Sequence, residues 1–284
     1  MIEVDQLSKA YANRRVVDHV SFTVSSGEIF GLLGPNGAGK TTTMGCLTGL
    51  LRPDSGRIRV AGYDVVRQRS QMVQMIGVAF ELPALYPRLT VEENLRFLGA
   101  LHGAGADEVT TVMTRWGLTE RRRQPVHALS KGWKQRTMLA RAFLGNPSVV
   151  FLDEPTSGLD PNAVAEIHRT LRAYQTEGMT LLLTTHDMTE AAELCDRVGI
   201  MAQGNLLAID PPAVLVGRLQ DQTAQITWWN QGTLCTQVLA LADPSTPDTL
   251  SRLLRDGTVV ELHTTGSLDT VYRRLTGGEV HDRA

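Results

Sequence analysis

The stretch Gly34-Pro35-Asn36-Gly37-Ala38-Gly39-Lys40-Thr41-Thr42 constrains this chain more than any other. It fits the spacing G-x-x-x-x-G-K-[ST] and lies between an apolar run, Ile29 to Leu33, and a segment predicted to be helical from Lys40. Strand, glycine-rich turn and helix in that order are what a loop wrapped around a polyphosphate requires. The glycines let backbone N–H groups turn inward with no side chain in the way. The helix start aims the positive end of its dipole at the same anion. Lys40 is placed to reach the β- and γ-phosphates, and the Thr41 hydroxyl to ligate Mg²⁺. The expected ligand is a nucleoside triphosphate.

Composition sets limits on the partners. Of 284 residues, 42% are hydrophobic and 20% charged, with a formal net charge of −2. No overall basic field gathers nucleic acid or an anionic bilayer, and no nucleic-acid partner is expected. Arg121-Arg122-Arg123 is the one dense basic run and is read as a solvated helix end or loop. Cys46, Cys195 and Cys235 are too few for a disulfide framework and form no C-x-x-C pair, which fits a reducing cytosol. The N-terminus, MIEVDQLSKAY, lacks the apolar core of a signal peptide. No apolar run approaches the ~18 residues of a membrane span. A soluble chain is expected, with any membrane role supplied through a partner.

Residues 2–7 and 20–24 alternate like strands exposed on one face, and Ile29–Leu33 reads as the buried centre of a parallel sheet. Short apolar runs follow at Ile58–Val60 and Ile76–Ala79. Thr90-Val91-Glu92-Glu93 is a capping-box signature, and another helix is predicted over Glu108–Trp116. Strands are expected at Ser148–Leu152, Thr180–Thr185, Val198–Met201 and Leu206–Ile209, with Asp160-Pro161 capping a helix. Residues 27–210 therefore imply an α/β fold with a mainly parallel sheet and a helical insertion at about 82–146. After Pro211-Pro212 a ββαβα order suggests a small α+β appendage over 213–284, in which Trp228 and Trp229 are expected to pack the core.

The remaining motifs narrow the family. Val149-Val150-Phe151-Leu152-Asp153-Glu154 is an apolar strand ending in two carboxylates. Asp153 is expected to hold Mg²⁺, and Glu154 to accept a proton from an attacking water. Leu129-Ser130-Lys131-Gly132-Trp133 runs into a helix through Lys134-Gln135-Arg136. Ser157-Gly158-Leu159-Asp160 follows the carboxylates, His186 follows a strand ending Leu183-Thr184-Thr185, and Tyr11 precedes them all. In this order the motifs over residues 2–210 resemble those of an ABC transporter ATP-binding subunit, a P-loop NTPase.

The resemblance implies an antiparallel N-terminal β part and a helical subdomain carrying the signature. It also implies a Tyr11 ring stacked on adenine, Asp160 in the D-loop and His186 as the switch histidine. Ser130, Lys131 and Gly132 would meet the ATP of an opposite subunit, so the working unit is a dimer, expected to be a homodimer. Separate transmembrane permease subunits would hold it at the cytoplasmic face of the membrane, with ATP and Mg²⁺ as cofactors.

Three positions depart from the family. Glu81 stands where a Gln touches Mg²⁺ and the attacking water, and a carboxylate is expected to serve there as a metal and coupling residue. Lys131 and Trp133 replace a Gly and a Gln of the signature. That variant, with the tail Ser267–Gly277, resembles the export branch serving drugs, antibiotics or surface polysaccharides. Pro83–Tyr86 lies where the family receives a cytoplasmic helix of the membrane subunit. Two other functions remain open on the sequence: a non-transport ABC ATPase acting on ribosomes or DNA, and a weakly hydrolysing nucleotide-gated module.

Overall fold

Alternating apolar residues build the first of two sheets in the N-terminal unit. β1 (Ile2–Tyr11) pairs antiparallel with β2 (Arg14–Val24) and, on its other side, with β4 (Ser55–Val60), which carries the short β5 (Tyr63–Asp64). β1 and β2 run several residues beyond the stretches of clean alternation. Bulges at Gln6 and His19, with φ of 50° and 49°, shift the register and break the period that a sequence reading follows. This computed structural model describes residues 1–12, 14–80, 85–218, 223–230, 233–240, 243–244, 246–255, 258–264 and 266–277.

The second sheet sets the site. Its central strand, β3 (Ile29–Leu33), lies between β8 (Thr180–Thr185) and β9 (Arg197–Ala202), all parallel. β7 (Val149–Asp153) and β6 (Ile76–Ala79) extend the parallel array from β8, and β10 (Asn205–Asp210) closes the other edge antiparallel. β3, β7 and β8 are buried along their whole length, as strands covered on both faces must be. Phe22 of the first sheet stacks on Phe30 of the second at 5.2 Å, joining the two in one core.

Helices α1 (Lys40–Leu47) and α2 (Arg69–Val73) precede a helical stretch of α3 (Val91–Ala100), α4 (Ala106–Arg115) and α5 (Lys131–Ala142). Thr90 caps α3 through the reciprocal bonds of a capping box with Glu93, as its sequence predicts. α6 (Pro161–Thr176) starts at Asp160, whose carboxylate accepts from the Ala163 N–H at 3.0 Å. It buries Ile167, Leu171 and Tyr174, a stripe at helical spacing. α7 (Met188–Leu194) is too short to show a period in sequence. Among the described residues no helix is long and apolar enough to cross a membrane.

The chain divides into two compact units, Met1–Asp210 and Pro211–Ala284. The second opens with α8 (Pro212–Gly217), then has a three-stranded antiparallel sheet ordered β12 (Thr233–Ala240), β11 (Thr223–Asn230), β13 (Val259–Thr264). α9 (Thr246–Arg255) supplies Leu250 and Leu253 to a core built on Ile226 and Leu239, and α10 (Leu268–Leu275) follows β13. The tryptophan pair splits. Trp228 packs on this core, whereas Trp229 points to the other face of the strand and is 51% exposed, a correction to the expectation that both are buried.

Candidate active site

Parallel strands converge their C-terminal ends on one edge of the second sheet, and the chemistry-bearing residues follow those ends. Gly34 follows β3, Asp153 and Glu154 end β7, and His186 follows β8. Between Gly34 and α1 the chain wraps a cleft lined by Pro35, Asn36, Gly37, Lys40 and Thr41, with Val16 and Glu154. Two glycines fix that wrap for different reasons. Gly37 faces open space, and its φ of 80° is what requires glycine. Gly39, at φ 105° and the N-cap of α1, would also bring a Cβ within 2.6 Å of the Val16 carbonyl. Ala38 is buried, and Thr42 lies in the first turn of α1 and lines the same cleft.

Lys40 is 5% exposed and folds back over the loop. Its Nζ donates to Gly34 O at 2.6 Å and Pro35 O at 3.3 Å, and lies 3.3 Å from Glu154 Oε1. The other Glu154 oxygen, Oε2, lies 2.8 Å from His186 Nδ1. An ionised carboxylate only accepts, so Nδ1 carries the proton and Nε2 is left for another partner. Glu154 itself has φ 50°, a left-handed conformation that costs a non-glycine residue about 1 kcal/mol or more. Its N–H donates to the Thr184 carbonyl at 3.1 Å, which holds the strained turn against β8.

Asp153 is buried, and its carboxylate accepts from the Thr184 hydroxyl. Burial, reinforced by the charge of Glu154, raises its pKa above the ordinary carboxylate range, against hydrogen bonds from Thr184 and Thr41 and the charge of Lys40. A carboxylate held in this way is short of positive charge. The oxygen donors of Asp153 and Thr41 suit a hard divalent cation. Among the described residues no group of three or more His, Cys, Asp and Glu could hold a metal ion.

The other expected site residues stand apart from this cleft. Tyr11 ends β1 about half exposed, with Lys9 Nζ 5.8 Å from its ring centre, and does not line the cleft. Ser130 is the N-cap of α5, but its hydroxyl makes no capping bond, and both Ser130 and Lys131 are exposed. Gly132 faces Ala163 at the start of α6, and the Lys131 ammonium lies so close to Gly158 that a methyl there would collide with it. The signature and D-loop segments of one chain therefore pack on each other. Gln135 adds a tie, donating to Pro155 O at 2.8 Å one residue past Glu154. Glu81 and Pro83 lie outside the described residues.

Sequence reasoning missed what Trp133 does. Its ring is contacted by the guanidinium groups of Arg121 at 4.5 Å and Arg136 at 4.7 Å, and Arg136 pairs with Glu166 on α6. The only signal in sequence was the i, i+3 spacing of Trp133 and Arg136. Arg121 thus belongs to a stack and not to a solvated run. Tyr86 and Phe97 meet edge to face at 5.2 Å while each stays about half exposed, and the buried Asn94 amide bonds both the N–H and the carbonyl of Tyr86.

A family model described as ABC transporter matches residues 17–157. The chain is 36% identical to the Nod factor export ATP-binding protein I of Paraburkholderia xenovorans, over 99% of this chain and 98% of that protein. It is 37% identical to a fluoroquinolones export ATP-binding protein of Mycobacterium tuberculosis, over 92% of this chain and 87% of the other. A solved structure of an ATP-binding subunit of an ABC transporter superposes with a TM-score of 0.72 at 28% identity, covering 97% of this chain and 99% of that one.

Proposed function

The chain belongs to the ABC transporter ATP-binding proteins, and from that premise we propose that two copies hydrolyse Mg-bound ATP between them and so drive a separate membrane exporter. The observation that carries this reading is the Glu154 carboxylate, held between Lys40 at 3.3 Å and His186 at 2.8 Å at the mouth of the phosphate loop. A triphosphate entering the cleft offers Lys40 better acceptors than Glu154 and two carbonyls. Lys40 turns to the β- and γ-phosphates, and Glu154 Oε1 is released to accept a proton from water. His186 keeps Glu154 aimed through Nδ1 and presents Nε2 to the γ-phosphate. Thr41 and Asp153 would hold Mg²⁺ through their oxygens, and the ion would supply positive charge against that of the phosphates.

Tyr11 stacks on adenine at the end of β1. Ser130, Lys131 and Gly132 face outward and meet the γ-phosphate held by the second copy, with Asp160 holding the D-loop between them. The two relatives share the word export in their names, which supports that direction of transport. The Tyr86–Phe97 pair, exposed where α3 meets the segment that Asn94 bonds, is the surface for the permease.

Phosphate release from Mg-ATP by the purified chain, and its loss in Glu154→Gln, tests the chemistry. Affinity purification of Glu154→Gln from detergent-solubilised cells with Mg-ATP tests the partner. A stoichiometric polytopic membrane protein is expected. Ribosomal proteins or DNA-repair factors in its place would overturn the transport reading.

A further inference from the structure

Two residues past Glu154, the Thr156 hydroxyl donates to Glu190 Oε1 at 2.6 Å. Glu190 lies four residues past His186, in the first turn of α7. His168 on α6 places Nε2 3.3 Å from the same oxygen, and its Nδ1 lies 4.0 Å from Glu193. A glutamate in the first turn of a helix suits the helix dipole and can do so from the surface. This one is 4% exposed with a hydroxyl and an imidazole aimed at it. A carboxylate that deep needs those donors, because burial has removed the water that would otherwise bond it.

None of the three residues lines the phosphate cleft, yet the segments they join are the two that carry Glu154 and His186. On one side the Ser157 N–H donates to Glu154 O at 3.3 Å, so Thr156 sits inside a tight turn that Glu154 begins. On the other, Asp187 follows His186 directly, bonds the Thr185 hydroxyl through its N–H, and caps α7 by accepting from Thr189 and Glu190. The route from the Glu190 carboxylate to either site residue is therefore one short, hydrogen-bonded turn.

We propose that Glu190 is a positioning residue: through Thr156 and α7 it sets the separation of Glu154 and His186. It acts on the site read above and rests on that reading. A misplacement of about 1 Å between reacting groups can cost on the order of 100-fold in rate, so a tie of this kind shows in turnover before it shows in binding.

The test compares kcat, KM for Mg-ATP and Tm in Thr156→Val, Thr156→Ser, Glu190→Gln and the Thr156→Val/Glu190→Gln double variant. Thr156→Val keeps the shape and removes the hydroxyl, and is expected to lower kcat about tenfold with KM within about twofold. Thr156→Ser restores the donor and should restore kcat. The double variant should fall little below Thr156→Val alone, since without the Thr156 hydroxyl the side chain at 190 has no tie to that turn left to weaken. Wild-type kcat in Thr156→Val overturns the proposal, as does failure of Thr156→Ser to recover, or a loss confined to Tm. Should Glu190→Gln not fold, the Val and Ser variants decide the matter by themselves. A wild-type chain that releases no phosphate overturns the ATPase reading and this proposal with it; an active wild type indifferent to Thr156→Val overturns this proposal alone.

Discussion

At the phosphate cleft the charged side chains are tied into their own chain, whereas at the start of α5 they are turned outward. Lys40 holds two carbonyls and Glu154, Glu154 holds Lys40 and His186, and Asp153 holds Thr184. Ser130 and Lys131 are exposed, and the Ser130 hydroxyl does not cap the helix it begins. Both places are helix starts with glycine beside a lysine, so both favour an anion. The first is organised to receive a phosphate; the second leaves its hydroxyl and ammonium groups exposed. The difference teaches that two helix starts suited to an anion can be built in opposite ways, one tied internally and one left as a surface.

The harshest way to break this comparison is to remove the base from the organised end. Glu154→Gln keeps size and hydrogen bonding but cannot take a proton. Single-turnover phosphate release should fall by about 10²–10⁴ while ATP still binds. Turnover within tenfold of wild type would show that Glu154 is not the base.

Next, the two ends can be separated between chains. Lys40→Ala disables the cleft and Ser130→Glu places an anion at the outward end, and each is expected to lose at least tenfold in steady-state hydrolysis. If the ends meet only between copies, mixing the variants rebuilds one intact site in each mixed dimer. About a quarter of wild-type activity should return, half the dimers being mixed and each holding one good site of two. No recovery on mixing would mean that the ends act within one chain.

How much of this was legible in the sequence follows the same division. The cleft could be read almost entirely, because a phosphate fixes glycine, lysine and hydroxyl at consecutive positions, and a strand's end fixes Asp153 and Glu154. The cap of α6 at Asp160 could be read because its partner lies three residues away. Long-range ties could not. Thr156 and Glu190 are 34 residues apart with no local pattern between them. Trp133 stands where the signature carries a Gln, and only the fold brings Arg121 to its ring. β1 and β2 outrun their alternation in sequence because bulges end the alternation before they end the pairing.

Trp133 sharpens the comparison in stability terms, since its stack holds the outward end on the 3-10 turn Thr119–Arg121 and, through Arg136, on α6. Trp133→Gln, which brings back the residue the family carries there, removes two cation–π contacts of about 0.5–1 kcal/mol each. Tm should drop by about 3–6 °C, with hydrolysis changed less than about threefold. An unchanged Tm would mean that the stack contributes nothing to holding the signature helix.

The smallest effect has the opposite sign and belongs to the cleft. Asp153 is raised in pKa by burial and by Glu154, so the folded chain holds its proton more tightly than the unfolded chain does. Below the ordinary carboxylate range the residue is neutral in both states and costs nothing. As pH rises through the window from that range to the raised folded value, the unfolded chain ionises first and stability falls. Above the window the cost is complete, and at pH 7, well above the ordinary carboxylate range, a nucleotide-free chain carries a cost. Asp153→Asn removes the charge and keeps an acceptor for the Thr184 hydroxyl. In EDTA at pH 7 its Tm should exceed wild type by about 2–4 °C, while Mg-dependent hydrolysis is lost. At about pH 4 the gap should narrow, because protonation has then done to wild type what the substitution does permanently. A variant less stable than wild type at pH 7, or a gap that widens in acid, would show that Thr184 and Lys40 already compensate Asp153. The organised end would then be stable as folded, with no electrostatic cost left to relieve.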